Sequence, residues 1–162
     1  MKTLKIEIPK GYQIDEERST SSHIVFKAIE RNWIDLGLPS GTLWCEINET
    51  GYYTYKEAKK NFSKSLPNII DFAELVHYCS WKWDSEKEGM VVTGPNSNSI
   101  FFPAPGCRIS WGNWNVLNGY YWSITPFQDE YAYNLHFSSE IINPTNHSTL
   151  RTGCSVRLVK RK

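Results

Sequence analysis

Two tryptophans stand close together in the run Trp111-Gly112-Asn113-Trp114-Asn115. Glycine and asparagine between them break both helical and strand periodicity, so the run predicts a loop. A loop of this composition offers flat apolar surface beside amide groups, which suits a sugar ring or a peptide. Because exposed tryptophan is a typical anchor of binding surfaces, a binding loop is the favoured interpretation. The alternative is that both rings pack into the protein's own core.

The surrounding segment, residues 107–154, has the composition of a binding surface. Tyr, Trp, Asn, Ser and Gly supply 21 of its 48 residues, and lysine is absent from it. Tyr and Trp give large contact area at low entropy cost, whereas Ser, Gly and Asn give adaptable hydrogen bonds. Lysine is depleted at interfaces because its charge and chain entropy are costly to bury. A loop-rich β domain whose aromatic side chains fill its own core is the alternative.

Strand periodicity predicts which side chains of this segment face solvent, because successive side chains of a strand alternate between its two faces. In the predicted strand Tyr131–Phe137, we expect the core face to carry Tyr133, Leu135 and Phe137. We expect the exposed face to carry Ala132, Asn134 and His136.

Catalytic and metal-binding chemistry has little support in the sequence. His136, His147 and Asp129 offer an acid–base set, but three such residues in a polar region often occur by chance. Calcium needs about six to eight oxygen ligands, usually with several carboxylates. Beyond residue 88 the chain offers only three acidic residues: Asp129, Glu130 and Glu140. We therefore expect no metal ion, no cofactor and no enzymatic activity.

The four cysteines, Cys45, Cys79, Cys107 and Cys154, form no Cys-x-x-Cys pair, so neither a zinc ribbon nor a thioredoxin-type site is indicated. In a reducing compartment we expect free, half-buried thiols. A structural disulfide is the alternative, and the sequence alone assigns no pairing.

Length and charge limit the classes of function. The chain has 162 residues, which is the size of one domain, and is 40% hydrophobic and 22% charged, as in globular proteins. A net charge of +1 provides no global field for nucleic acid or an acidic membrane. No apolar run has the length of a membrane span. Because apolar and charged residues alternate at the start of the chain, we expect no signal peptide and synthesis in the cytoplasm.

Residues 1–30 are predicted to form an N-terminal β-hairpin arm. Apolar and charged residues alternate from Leu4 to Ile8, and a second apolar run extends from Ile24 to Ile29. An extra sheet edge on the core is the favoured interpretation of this arm. The alternative is an assembly arm through which the chain forms a homo-oligomer. Residues 31–162 make the second predicted domain.

Two helices, followed by short strands, are predicted within residues 31–162. Thr54 and Glu57 have capping-box spacing. At a second helix start, we expect Asn68 to be the cap, with Asp71 three residues later near the positive end of the helix. The predicted core-facing stripe of the second helix is Ile69, Phe72, Ala73, Val76 and Cys79. The predicted strands are Met90–Thr93, Ile100–Pro103, Tyr120–Ser123, Tyr131–Phe137 and Ser155–Val159. The predicted fold class is α+β, with two helices packed on short antiparallel strands.

The run Trp33-Ile34-Asp35-Leu36-Gly37-Leu38-Pro39-Ser40-Gly41-Thr42-Leu43-Trp44 resembles the opening signature of the Fibrobacter succinogenes major paralogous domain. Val92-Thr93-Gly94-Pro95-Asn96 resembles the middle of that family, and Gly153-Cys154-Ser155-Val156-Arg157-Leu158-Val159 resembles its end. The family is common in gut Bacteroidetes and has a C-type-lectin-like fold related to the formylglycine-generating enzymes. The resemblance covers residues 33–160 and implies that fold for residues 31–162. It also opens an enzymatic alternative, although the surroundings of Cys107 and Cys154 do not match the active-site cysteine motif of those enzymes.

A narrower resemblance joins Tyr121–Pro126, Ala132–Ser139, Asn143–Asn146 and Gly153–Val159 to the variable region of diversity-generating retroelement target proteins. Those are lectin-fold binding proteins, often of phages, whose exposed site residues are re-randomised at adenines. Because Tyr121 and Trp122 lie in the matched motif, the resemblance implies that they are structural and that Tyr120, just before them, is exposed. It also implies a non-catalytic, receptor- or adhesin-type protein of Bacteroides or its phages, incorporated in a phage particle and binding a protein or glycan on a cell surface. A non-diversified Bacteroidetes lectin-like domain is the alternative. The predicted ligand-binding residues are Trp111, Asn113, Trp114, Asn115, Asn118, Tyr120, Phe127, Gln128, Asp129, Tyr131, Asn134, His136, Asn146 and His147.

Overall fold

The computed structural model of the chain describes residues 6–9 and 11–162. The chain divides into two compact units, with the boundary between Arg31 and Asn32. Two helices and thirteen strands lie within the described residues. The fold is therefore α+β, as the sequence predicts.

The first unit contains one antiparallel hairpin, β1 (Tyr12–Ile14) paired with β2 (Phe26–Ala28). The predicted strand Leu4–Ile8 is wrong for residues 6–8, which lie in no strand, and Leu4 and Lys5 lie outside the described residues. The first strand instead begins at Tyr12, whose amide donates to the Pro9 carbonyl at 3.1 Å. Proline has no N–H to give to a ladder, so strand pairing begins only after Pro9.

Two helices, α1 (Tyr55–Phe62) and α2 (Ile69–Tyr78), begin directly after their predicted capping residues. The Glu57 amide donates to the Thr54 hydroxyl at 3.3 Å, and the Thr54 amide donates to the Glu57 carboxylate at 2.8 Å. Asn68 and Asp71 make the same reciprocal pair, at 2.9 and 2.7 Å. The predicted capping box at Thr54 and the predicted cap at Asn68 are confirmed, and Asp71 completes a second capping box that was not predicted.

The core-facing stripe of α2 is only partly as predicted. Phe72, Leu75 and Cys79 are buried, and Val76 packs against the same core. Ala73 was expected in this stripe but is exposed. The reason is helical geometry: the buried positions are three and four residues apart, and Ala73 lies about 100° around the helix from Phe72.

The strands of the second unit form four antiparallel sheets. Two of them are three-stranded meanders in chain order: β5 (Ser80–Asp84), β6 (Gly89–Thr93) and β7 (Ser99–Pro103), and β10 (Gly119–Gln128), β11 (Tyr131–Phe137) and β12 (Ile142–Thr149). The other two contain β3 (Trp33–Asp35), β4 (Leu43–Cys45) and β13 (Val159–Lys160) in the order β13-β4-β3, and the hairpin of β8 (Cys107–Ile109) and β9 (Gly112–Trp114).

Four of the five strands predicted in residues 90–159 are confirmed, since they lie within β6, β7, β10 and β11. The fifth, Ser155–Val159, is wrong in extent, because only its last residue belongs to a strand. The chain before it pairs one residue at a time with different neighbours. Gly153 bridges Arg108, whereas Ser155 bridges Tyr121. This segment therefore bridges to several elements and forms no continuous strand with any one of them.

The β10–β11–β12 sheet has a hydrophobic core on each face. Leu135 and Phe137 of β11 belong to a larger core that includes Phe72 of α2. Ala132 of β11 belongs to a smaller core that includes Ala58 of α1. The sheet is thus covered by a different helix on each face.

This double burial corrects the predicted faces of β11. Leu135 and Phe137 are buried as predicted, but Ala132 and Asn134, which were expected to be exposed, are fully buried as well. Alternation separates core from solvent only where one face of a sheet is free. Tyr133, which was expected in the core, is half-buried instead. The buried Asn134 amide is satisfied, because it donates to Ser148 Oγ at 2.7 Å and accepts from Asn146 Nδ2 at 2.8 Å.

Candidate functional site

Four large apolar side chains stand in solvent between the tip of the β8–β9 hairpin and the start of β10. We call Trp111, Trp114, Val116 and Leu117 the apolar segment; their exposed fractions are 85%, 54%, 60% and 45%. The predicted loop is wrong in part, since Gly112–Trp114 pairs with β8 as a strand while Trp111 lies at the turn. Both tryptophans are exposed, which agrees with the favoured interpretation. Val116 and Leu117 were not predicted, although they stand between Asn115 and Asn118 in a turn-forming run.

Backbone hydrogen bonds fix the shape of the apolar segment. The Leu117 amide donates to the Ala104 carbonyl at 3.1 Å, and the Asn118 amide donates to the Asn115 carbonyl at 3.1 Å. Asn115 and Leu117 have φ of 51° and 70°, in the left-handed region. Such a conformation costs a non-glycine residue about 1 kcal/mol or more. The hydrogen bonds from Leu117 and Asn118 compensate for part of this cost.

A glycine makes room for this arrangement. Gly106 has φ of 77°, and its amide donates to the Asn118 carbonyl at 2.7 Å. A Cβ atom on Gly106 would stand 2.3 Å from the Trp114 carbonyl oxygen. Only glycine permits so close an approach of the two backbones. The start of β8 therefore supports the apolar segment directly.

Polar side chains connect the apolar segment to the sheet. Asn115 Nδ2 donates to the Tyr120 hydroxyl at 2.9 Å, and His136 Nε2 donates to Asn118 Oδ1 at 2.8 Å. The Tyr120 and His136 rings stack with centroids 4.6 Å apart. Tyr120 was expected to be exposed, but it is buried beneath these contacts. Burial lowers the pKa of His136, so the neutral imidazole is favoured at this position.

A second group of predicted site residues surrounds His147 at the other end of the sheet. We call Phe127, Tyr131, Tyr133 and His147 the aromatic cluster. Phe127 stacks on His147 with centroids 4.2 Å apart and meets Tyr133 edge-on at 5.0 Å. Tyr131 meets His147 edge-on at 5.6 Å. Gln128 and Asp129 are exposed beside the cluster, where a shallow cavity of about 370 Å³ opens.

The apolar segment and the aromatic cluster belong to opposite faces of the sheet. β11 is regular, because the extra residues in the register fall in β10 and β12. Tyr133 and His136 are three positions apart in it, and an odd separation places two strand side chains on opposite faces. His147 is the register partner of Tyr133 and so shares its face. The structure therefore does not bring His136 and His147 together, and the acid–base set that the sequence offers is not assembled.

The fourteen predicted site residues accordingly divide by accessibility. Six are exposed: Trp111, Asn113, Trp114, Gln128, Asp129 and His147. Six are partly exposed: Asn115, Asn118, Phe127, Tyr131, His136 and Asn146. Two are buried: Tyr120 and Asn134. Sequence reasoning missed Val116, Leu117 and Tyr133, whose exposure depends on contacts that are distant in sequence.

All four cysteines are free thiols, and they are buried rather than half-buried as expected. Among the described residues, no group of three or more His, Cys, Asp or Glu side chains is placed to hold a metal ion. Over residues 6–9 and 11–162, no helix is both long and apolar enough to cross a membrane. No protein-family model matches the chain, and no curated protein or solved structure matches it significantly.

Proposed function

We propose that this chain is a non-catalytic ligand-binding protein and that the apolar segment contacts its ligand. The observation that carries this proposal is the exposure of Trp111, Trp114, Val116 and Leu117 within seven residues of chain. Contiguous exposed apolar surface is uncommon on soluble proteins and marks interaction sites. Tryptophan is also the residue type most often found at the energetic centre of an interface.

The fixed backbone of the segment supports the same proposal. A surface that is rigid before binding loses less conformational entropy on association. Asn115 and Leu117 hold left-handed conformations that cost free energy in the unbound protein. A ligand-contacting role accounts for that cost, since strained residues concentrate at functional sites. The amides of Asn113 and Asn115 lie beside the tryptophans and supply hydrogen bonds to a polar ligand.

We further propose a C-type-lectin-like scaffold of the retroelement-diversified type for residues 31–162. Two motifs that carry the family resemblance come together in space, because Val159 of the last motif pairs with Trp44 of the first. The two helices precede the β8–β9 hairpin and the β10–β12 meander, which lie within residues 107–154. A fixed, non-diversified binding site for a glycan or protein is the alternative.

A binding screen tests the proposal. The wild-type chain is applied to an array of glycans and an array of bacterial surface proteins, and each hit is titrated against variants. The double variant Trp111→Ala/Trp114→Ala is expected to bind at least about 30-fold more weakly, which corresponds to about 2 kcal/mol. The control is Ile47→Ala/Ile70→Ala, which removes exposed apolar side chains elsewhere in the same unit. Absence of binding on both arrays, or equal losses in the two double variants, contradicts the proposal.

The gene's neighbourhood distinguishes the diversified protein from the fixed one. DNA downstream of the gene is sequenced and searched for a near-copy of codons 107–157 and for a reverse transcriptase. We expect mismatches confined to template adenines, including codons of the apolar segment. If no such repeat exists, the site is fixed and the diversified scaffold is rejected, while the ligand-binding role is judged by the arrays alone.

A further inference from the structure

Two buried cysteines stand opposite each other where β8 meets the C-terminal segment. Arg108 and Gly153 form an antiparallel bridge, and each donates its amide to the other's carbonyl at 2.8 Å. They are therefore a hydrogen-bonded pair in the ladder. The next pair along such a ladder lacks hydrogen bonds and has its side chains closest together. One step along from this isolated bridge, Cys107 comes opposite Cys154, whose backbone also bridges Tyr53 on its other edge.

The backbone separation expected at this position is right for a disulfide. Opposed residues in a non-hydrogen-bonded antiparallel pair have Cα atoms about 4.5 Å apart. Disulfides span Cα separations of about 4.4–6.8 Å. A Cβ on Gly153 would stand 3.0 Å from Arg108 Cβ, so the two backbones approach closely at the adjoining pair.

Electrostatic contacts give an independent indication that the two thiols are neighbours. Burial raises the pKa of Cys154, and the nearby Cys107 raises it further. Burial also raises the pKa of Tyr120, and the two cysteines raise that pKa further. Cys107, Cys154 and Tyr120 belong to the same smaller core. The two thiols therefore lie near each other in this core.

We propose that Cys107 and Cys154 form a cross-strand disulfide when the protein folds in the presence of a low-molecular-weight disulfide such as oxidised glutathione, while both thiols are still accessible. The Cys107 thiolate attacks one glutathione sulfur, giving a protein–glutathione mixed disulfide and releasing one reduced glutathione. The Cys154 thiolate then attacks Cys107 Sγ, which forms the protein disulfide and releases the second reduced glutathione. Each cysteine loses its proton to solvent, and the two electrons pass to the glutathione disulfide.

The bond would close a loop of chain that contains both the apolar segment and the β10–β12 sheet. It would fasten the β8–β9 hairpin, which carries Trp111, to the C-terminal segment. The other two cysteines have different surroundings. Cys45 faces Trp33 in the register of β4, and Cys79 is the C-terminal cap of α2. They therefore serve as internal controls.

The test uses the full-length wild-type chain. The protein is refolded from denaturant in a reduced and oxidised glutathione buffer, its remaining thiols are alkylated, and its peptides are mapped by mass spectrometry. We expect a cross-linked peptide pair containing Cys107 and Cys154, with Cys45 and Cys79 alkylated. The oxidised protein should melt roughly 5–15 °C above the reduced one, because the cross-link restricts the unfolded chain. A reducing agent should abolish this difference.

Single variants locate the effect. Cys107→Ser and Cys154→Ser should each remove the cross-link and the increase in melting temperature, whereas Cys45→Ser and Cys79→Ser should keep both. Alkylation of all four cysteines in the wild-type protein overturns the proposal. So does a cross-link that includes Cys45 or Cys79, or the recovery of Cys107 and Cys154 only as separate glutathione adducts. These readouts on the wild-type chain do not require any variant to fold, and they do not depend on ligand binding.

Discussion

Tyr133 and His136 project from opposite faces of β11 and lie three positions apart. The extra residues in the register fall in β10 and β12, so β11 itself is regular. The first belongs to the aromatic cluster, and the second supports the apolar segment through Asn118. About 10 Å of strand also separates them. The two surfaces therefore rest on different side chains of β11 and can be varied independently.

The double burial of β11 predicts the relative cost of three substitutions. Leu135→Ala should lower the free energy of unfolding by about 2–5 kcal/mol, because it leaves a cavity in the larger core. Asn134→Ala should lower it by about 1–3 kcal/mol, since Ser148 and Asn146 lose a buried partner. Asn113→Ala, on the exposed hairpin, should change it by no more than about 0.5 kcal/mol. Urea unfolding gives this order, and an Asn134→Ala variant as stable as Asn113→Ala would show that the face assignment is wrong.

The burial of His136 predicts a pH dependence of stability. Burial lowers its pKa in the folded protein below the ordinary value of 6.5, so the unfolded chain takes up the proton first as pH falls. Stability contributed by the neutral imidazole is complete above that ordinary value and is lost as pH falls from it toward the lowered folded pKa. His136→Gln should reduce the difference in urea midpoint between about pH 7.5 and pH 5.5.

The matched control for this pH dependence is His77→Gln, which alters an exposed histidine of α2. It should keep the wild-type difference between the two midpoints. If His136→Gln and His77→Gln give the same pH dependence as the wild-type protein, the neutral His136 does not contribute to stability.

The left-handed conformation of Leu117 predicts that stability and binding respond in opposite directions. Leu117→Gly removes the steric cost of a φ of 70° but adds freedom to the unfolded chain. The free energy of unfolding should stay unchanged or rise by up to about 1 kcal/mol. The neighbouring Val116→Gly relieves no such steric cost and should lower the free energy of unfolding by about 0.5–1 kcal/mol. Both variants should bind the ligand more weakly, because each removes part of the apolar segment.

Chemical denaturation of the two glycine variants, side by side, measures this contrast. A Leu117→Gly variant that is less stable than Val116→Gly would mean that the backbone at Leu117 is not strained. Unchanged ligand affinity in both variants would instead place the contact surface on the tryptophans alone.

Local sequence patterns were sufficient for the helices and for several strands. The caps at Thr54 and Asn68 involve residues only three positions apart, so they can be recognised in the sequence. The two faces of β11 cannot be recognised in this way, because burial of Ala132 depends on a second core. Other members of that core include Ala58 and Val156, which are far away in the chain.

Arg157 shows most clearly why the remainder of the fold could not be predicted. Its guanidinium is fully buried and donates to the carbonyls of Cys45 and Glu46 at 3.0 and 2.8 Å. It also donates to Asn48 Oδ1 at 2.6 Å and to the Phe101 carbonyl at 2.6 Å. The sequence does not show which backbone carbonyls accept a side-chain hydrogen bond, so the partners of Arg157 are identified only in the folded chain.

The most direct test of the proposed function compares the affinity of the ligand recovered from the arrays for two double variants. Trp111→Ala/Trp114→Ala removes the tryptophans of the apolar segment, and Phe127→Ala/His147→Ala removes the stacked pair of the aromatic cluster. We predict a loss of at least about 30-fold for the first and a change within about twofold for the second. A loss confined to the second variant, with full affinity in the first, would contradict the assignment of the apolar segment as the ligand-binding surface.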